Sequence, residues 1–294
     1  MKNIKQFIKL RLMATILKRI QNKLKAFNDK QQYQTSYPFN IEDVKSYVIQ
    51  NRKSLSHFDR WWDDVMLNNS VFRYGITDNI LDKLNMPIGE EPTYSDMMCY
   101  FADKIGNNIS YLETGVSVGK NLYQLLNAFD KAKLTGFDIE EINPYLSAKL
   151  NMGERTEWAT WNDSIKKTPS SLTSYTYKSN KLDYICADEW DKNSWEKMAG
   201  KKFNIIFSDA LHDPEALLFE FDMIEKHGLL DEGKFVMVWD DLGGEMIDSF
   251  LKIKKRLAKT RGIGKKNTYI ININGWIGSH WGKHNVGIIT NIIE

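Results

Sequence analysis

Hydrophobic residues change their spacing along this chain, and each change marks a different kind of element. Ile4, Phe7, Ile8, Leu12, Met13, Ile16, Leu17, Ile20, Leu24 and Phe27 recur three and four residues apart, the repeat that lines one face of a helix, with Lys and Arg around it. Residues 28–40, rich in Asp, Gln, Asn, Ser and Pro, read as a linker. From Ile41 to about Asn108 the spacing is helical again. Ile41, Val44, Val48 and Ile49 supply an apolar face, and Asn85-Met86-Pro87 and Gly89 to Pro92 interrupt the pattern. A further helix is predicted to start near Thr93 or Ser95, to carry Met97, Met98, Tyr100 and Phe101, and to end at Gly106.

From Ile109 onward short apolar runs alternate with helical stretches, the texture of a parallel sheet with crossover helices. The predicted strands are Ser110–Glu113, Lys133–Asp138, Leu182–Ala187, Asn204–Asp209, Lys234–Asp240, Thr268–Ile273 and Val286–Asn291. Several end in an acid, which matters because open α/β sheets bind ligands beyond the carboxyl ends of their strands. The chain divides into a basic amphipathic helix (1–27), a helical N-terminal extension or lid (28–108) and an α/β domain (109–294).

Composition narrows the class. With 294 residues, 42% hydrophobic and 12% aromatic, the chain can bury a sizeable core. Its formal charge of +2 hides an asymmetry: residues 1–27 hold eight cations and no anion, so the rest carries 32 cations against 38 anions, a net −6. Such a body repels phosphate, which argues against a nucleic-acid-coating protein. Two cysteines, Cys99 and Cys186, build neither a disulfide framework nor a cysteine-based zinc site, so a reducing cytoplasm is the default. Cations interrupt every apolar run of the N-terminus, no small-residue cleavage site follows, and no stretch reaches the roughly 18 apolar residues of a spanning helix. A soluble or peripherally attached cytoplasmic protein is expected. The N-terminal helix has two open readings: attachment to an anionic membrane surface or a partner, or packing on its own domain or a dimer mate. Trp61-Trp62, followed by Asp63-Asp64, reads either as a stacking site or as core.

Four segments carry candidate chemistry. Tyr111-Leu112-Glu113-Thr114-Gly115-Val116-Ser117-Val118-Gly119-Lys120-Asn121 runs from a strand through a Gly-punctuated turn into a helix. Gly115 lets the backbone turn and approach a ligand, and Gly119 permits tight packing where the helix begins. Asp138 ends the next strand, 25 residues after Glu113, where a carboxylate can accept both hydroxyl protons of a ribose. Asp188 follows a third strand, where a nucleobase amino group could be read. The fourth, Phe203 to His212, ends in Asp209-Ala210-Leu211-His212, and Asp213-Pro214 then caps a helix. Beyond it, Leu229-Leu230-Asp231-Glu232-Gly233-Lys234 precedes a strand that ends in Asp240-Asp241.

Taken in this order, the segments resemble the class I S-adenosylmethionine-dependent methyltransferases over about residues 109 to 294. Within that group the chain is most similar to the macrocin-type sugar and small-molecule O-methyltransferases and to the related cephalosporin hydroxylase group. The resemblance implies a Rossmann-like α/β fold, a mainly parallel seven-stranded sheet with a C-terminal antiparallel hairpin. It implies S-adenosyl-L-methionine as cofactor, bound by Glu113, Thr114, Gly115, Gly119, Asn121, Asp138, Asp188 and Asp209. It also implies Mg²⁺ on Asp209, Asp240 and Asp241, a donor set whose hard oxygens suit that ion. Asp209 and His212 would be catalytic, His212 either as the general base or as a group that orients Asp209. Asp240-Asp241 has a plainer reading, a helix cap plus one acid near the cofactor. The expected acceptor is a small hydroxylated or glycosylated metabolite. Two alternatives stand beside that reading: a hydroxylase-like or other non-methylating enzyme on the same fold, and a non-catalytic scaffold docking through its N-terminal helix.

The chain departs from the family pattern in three places. Ser117 and Ala210 stand where relatives carry glycine, and a long Ser/Thr/Lys-rich stretch, Asn151 to Lys181, separates two strands. His280 and His284 fall in the predicted connection between the last two strands. That connection is either part of the acceptor pocket or a hairpin tip away from it.

Overall fold

The computed structural model describes residues 32–56, 83, 86–150 and 171–293. The basic helix predicted for residues 1–27, the Trp61-Trp62 pair and residues 151–170 of the long connection lie outside the described residues. Helix α1, Ile41–Leu55, opens on Asn40, whose side chain accepts from the Glu42 N–H, and it carries acids in its first turn and bases in its last. Of its four predicted apolar positions only Val44 and Val48 are buried, while Ile41 and Ile49 are exposed. Ile49 lies about 100° round the helix from Val48 and so leaves the packed face.

Helix α2, Tyr94–Ile105, starts at a capping box in which Asp96 accepts from the Thr93 N–H, and it stops at Gly106, as predicted. Arg52 of α1 reaches Asp96 with both terminal nitrogens, at 3.2 and 2.8 Å, and Asn51 joins at 2.7 Å. This buried fork ties the two helices together. Residues 94–102 are all buried, and the apolar ones share one cluster with strand residues of the sheet.

The strands are β1 (Ser110–Thr114), β2 (Lys133–Asp138), β3 (Ser171–Tyr177), β4 (Asn180–Cys186), β5 (Ile205–Ser208), β6 (Val236–Trp239), β7 (Thr268–Gly275) and β8 (Gly278–Thr290). They form one sheet in the order β3-β4-β2-β1-β5-β6-β8-β7. Pairing is parallel from β4 through β6, and β8 runs antiparallel between β6 and β7. Without β3 this is the seven-stranded order and direction of the class I methyltransferase fold. Helices α3 (Lys120–Ala128), α4 (Pro144–Lys149), α5 (Pro214–Lys226) and α6 (Glu245–Arg261) complete the α/β alternation. One core cluster gathers α1, α2 and α3 against the sheet; a second gathers α5 and α6 against other strand residues.

Two sequence expectations need correction. The sheet has an eighth strand, because part of the stretch read as a connection forms β3, antiparallel to β4. Its alternating Ser, Thr and Tyr residues suit a half-exposed edge rather than a buried centre. The connection between the last strands is only Trp276-Ile277, so His280 and His284 belong to β8. Among the described residues no helix is long and apolar enough to cross a membrane.

Candidate functional site

The site lies beyond the carboxyl ends of the parallel strands, and close backbone approaches build its first wall. Gly115, at the end of β1, has φ +77°, and a Cβ there would stand 2.3 Å from the backbone oxygen of Asp209. The turn therefore accepts glycine for two reasons, its left-handed φ and the passage of the loop after β5. Ser117 keeps the backbone that glycine would favour, with φ +52°. Asp138, at the end of β2, fastens this turn: Oδ2 accepts from the Val116 and Ser117 N–H groups at 2.6 and 2.9 Å, and Oδ1 from Glu140 N–H at 2.8 Å. Burial pushes this carboxyl upward, against the pull of those amides. Backbone amides thus take up most of the acceptor capacity of this carboxylate, whereas gripping both ribose hydroxyls needs two free positions.

A cleft of about 640 Å³, open mouth included, follows this wall, lined by Gly115, Ser117, Asp138, Ile139, Glu140, Asp188, Glu189, Trp190, Asp209, Ala210 and Leu211. Trp190 and Leu211 are its exposed apolar residues. Asp188 accepts from the Trp190 N–H at 2.9 Å, and the Trp190 ring packs on Phe219 at 4.9 Å.

The other predicted cofactor residues, Glu113, Thr114, Gly119 and Asn121, lie behind the cleft rather than on it. Glu113 accepts from Tyr111 Oη at 3.0 Å and Asn121 Nδ2 at 3.1 Å. Burial is the main cause that pushes Glu113 up to about 8, with Asp209 and Asp138 adding to it and the two hydrogen bonds opposing. Gly119, with φ +73°, packs so closely that a Cβ would sit 2.2 Å from Leu146 Cδ2. Thr114 and Ser208 donate to one oxygen of Glu220, at 3.1 and 2.7 Å. Glu220 is a buried acid of α5 whose carboxyl burial pushes up.

The second wall is a cluster of acids and imidazoles at the ends of β5 and β6. Asp209 accepts from Tyr94 Oη at 3.3 Å and pairs with His212 Nε2 at 3.2 Å; the other nitrogen of His212 lies 3.5 Å from Asp241. His284 Nδ1 lies 2.8 Å from Asp240 Oδ2 and 3.1 Å from Asp241 Oδ1. Asp209, His212 and Asp240 bring ligand atoms within 4.8 Å of one another, as do Asp240, Asp241 and His284. Asp240 is 2% exposed, and its Oδ1 is buried without a hydrogen-bond partner among the described residues. Asp241 carries its carboxylate on a left-handed backbone, φ +49°, which Asp tolerates better than most residues.

The charges of this cluster shape one another. Burial and then Asp240 push the Asp209 carboxyl up, against His212. Burial opposes a charge on His212, but Asp209, Asp240 and Asp241 outweigh it and raise the imidazole to about 9. Burial likewise opposes a charge on His284, and its bonds to Asp240 and Asp241 hold it at about 10. Neither group holds all three predicted acids: Asp209 and Asp240 meet with His212, and Asp240 and Asp241 meet with His284. Asp240, with its orphaned oxygen, is the acid common to both, and the donor chemistry allows oxygen and imidazole ligation of a divalent cation. Asp209, His212, Asp240 and Asp241 thus come together, and the structure adds His284 and Tyr94. His280 lies apart, with Nε2 2.8 Å from the Pro87 carbonyl.

No family model matches this sequence, and no curated protein matches it. Solved structures with a similar chain path include an O-methyltransferase from Bacillus cereus in complex with SAH (10% identity, TM-score 0.43, covering 84% of this chain and 100% of that one). The O-methyltransferase TomG from Streptomyces achromogenes, in complex with SAM, is similar at 12% identity and TM-score 0.43, over 86% of this chain and 99% of that one. The plantazolicin methyltransferase BpumL, in complex with SAH, is similar at 13% identity and TM-score 0.41, over 85% and 98%. The fold assignment rests on strand order and direction, not on these superpositions.

Proposed function

We propose that this chain transfers the methyl group of S-adenosylmethionine to an oxygen of a small hydroxylated or glycosylated metabolite, assisted by a divalent cation at Asp209, Asp240 and Asp241. One observation carries this reading: Asp209 belongs both to the cleft and to the acid cluster. A donor in the cleft and an acceptor at the cluster would share a wall, the proximity that an in-line displacement requires. When bound, the cofactor supplies a sulfonium methyl group and the cation lowers the pKa of an acceptor hydroxyl. An acceptor hydroxyl held at the cluster would take that methyl group and give its proton to a base such as His212, with S-adenosylhomocysteine as the product left in the cleft.

The chain's own residues set the conditions for that step. Asp138 holds the turn after β1 in shape, and Asp188 and Trp190 form the outer side of the cleft. His212 is protonated at neutral pH while three uncompensated carboxylates surround it. A positive charge that offsets their pull would lower the imidazole toward the range of a useful base, which links cation binding to base competence. Tyr94 keeps Asp209 in place from the buried side.

Calorimetry with S-adenosylmethionine and S-adenosylhomocysteine, followed by transfer of labelled methyl to a panel of polyhydroxylated and glycosylated acceptors, tests the reading. Binding of both, with label transfer stimulated by a divalent cation, is expected; absence of cofactor binding would overturn it. The pair of imidazoles in the cluster favours a second reading, a hydroxylase-like enzyme on the same fold. Cofactor and cation binding with no label on any acceptor would select it.

A further inference from the structure

We infer that His284 is itself a ligand of the cation, and that the centre takes a borderline transition ion such as Zn²⁺ or Fe²⁺ in preference to Mg²⁺. This rests on the metal-assisted reading above and goes further, assigning a ligand and an ion class. The first support is the orphaned Asp240 Oδ1, on an acid only 2% exposed. A buried carboxylate oxygen without a donor costs free energy unless something positive completes it. His284 Nδ1, at 2.8 Å from Asp240 and 3.1 Å from Asp241, engages only the other oxygen of Asp240.

The second support is the room made for this ring. His284 faces Ile273 in the β7/β8 register, and a Cβ on Gly275 would stand 2.6 Å from its Nε2. Glycine at this position therefore preserves a seat for the imidazole. The third is chemistry. Mg²⁺ prefers oxygen donors and keeps several waters, whereas imidazole nitrogen suits Zn²⁺, Fe²⁺ and their neighbours. A centre with His284 buried on one side and His212 at the cleft mouth presents nitrogen from both directions. The competing explanation is an imidazolium that neutralises Asp240 and Asp241 with no ion present.

The test uses the full chain, stripped with a chelator and titrated separately with Mn²⁺, Zn²⁺ and Mg²⁺ in calorimetry. Pulsed electron paramagnetic resonance of the Mn²⁺ form reads nitrogen coupling directly. Zn²⁺ should bind about tenfold or more tightly than Mg²⁺, with Mn²⁺ as the spectroscopic probe. In a His212→Ala background nitrogen coupling should persist, and adding His284→Ala should abolish it and weaken Mn²⁺ about tenfold or more. If that variant fails to fold, His284→Asn serves in its place, with near-native circular dichroism as its entry condition. Equal affinity for Mg²⁺ and Zn²⁺, or nitrogen coupling that survives loss of both histidines, overturns the inference and leaves the methyltransferase reading standing. If no ion binds, the inference and the cation's role fall together, while the separate cofactor titration still decides the methyltransferase reading.

Discussion

At the end of β2 the carboxylate of Asp138 accepts three backbone N–H groups; at the end of β6 the carboxylate of Asp240 meets one imidazole and leaves Oδ1 bare. Both acids are buried and both follow parallel strands of the same sheet. They differ in what the chain offers them. The loop after β1 folds over Asp138 and turns its amides inward, so that acid stabilises protein. Among the described residues no amide completes Asp240 Oδ1; the partner of its other oxygen is a side chain delivered by β8, the antiparallel strand beside β6. An acid completed by backbone shapes a binding cleft, and an acid left incomplete calls for a ligand.

The sharpest way to break this contrast is to neutralise the incomplete acid. Asp240→Asn should reduce cation affinity by about 100-fold or more, since it removes a charged ligand beside an unpaired oxygen. Affinity for S-adenosylhomocysteine should change little, because the cleft does not include residue 240. Calorimetry with each ligand alone measures both, and a variant that binds the cation normally would remove Asp240 from the centre.

The complementary change is Asp138→Asn. An amide keeps the shape but replaces one acceptor oxygen with a donor, which then faces a backbone N–H. A loss of about 3 kcal/mol in urea unfolding is expected, with weaker cofactor binding and little change in cation affinity. Equal losses of cofactor and cation binding would mean that the two walls are one unit after all.

Much of the fold was legible because central parallel strands are buried on both faces and read as apolar runs, and the acids at their ends stood out for the same reason. β3 was hidden because an edge strand needs no such run: Ser171, Thr173 and Ser174 look like loop. The clustering of Asp209, His212, Asp240 and Asp241 could be anticipated from strand ends alone. His284 could not, since its place depends on the register of β8 against β7 and β6, which spacing along the chain does not encode. Glu220 had left a signal, a carboxylate on the same helical face as Leu217, Phe221 and Ile224, where a charge is out of place. Gly275 carried no sign that it seats an imidazole.

A third acid, Glu113, sits between the two walls and gives the smallest and most diagnostic effect. Burial raises its folded pKa from 4.5 to about 8, so the folded chain holds a proton that the unfolded chain releases above about 4.5. Its contribution is therefore fully present below pH 4.5 and is lost as pH rises through 8. Glu113→Gln imitates the protonated side chain, and Asn121, whose Oδ1 has no partner among the described residues, can turn its amide over to accept from the new one. The variant should show a flatter decline of stability between about pH 5 and 8, by about 2 kcal/mol over that range, since a tenfold change in proton affinity is worth about 1.4 kcal/mol and local relaxation absorbs part of the whole. Urea unfolding at several pH values measures the slope. A variant as steep as the parent would assign the decline to the other acids that burial pushes upward, Asp138, Glu189, Asp209 and Glu220. That result would place the charge strain on the buried acids around Glu113 rather than on Glu113 itself.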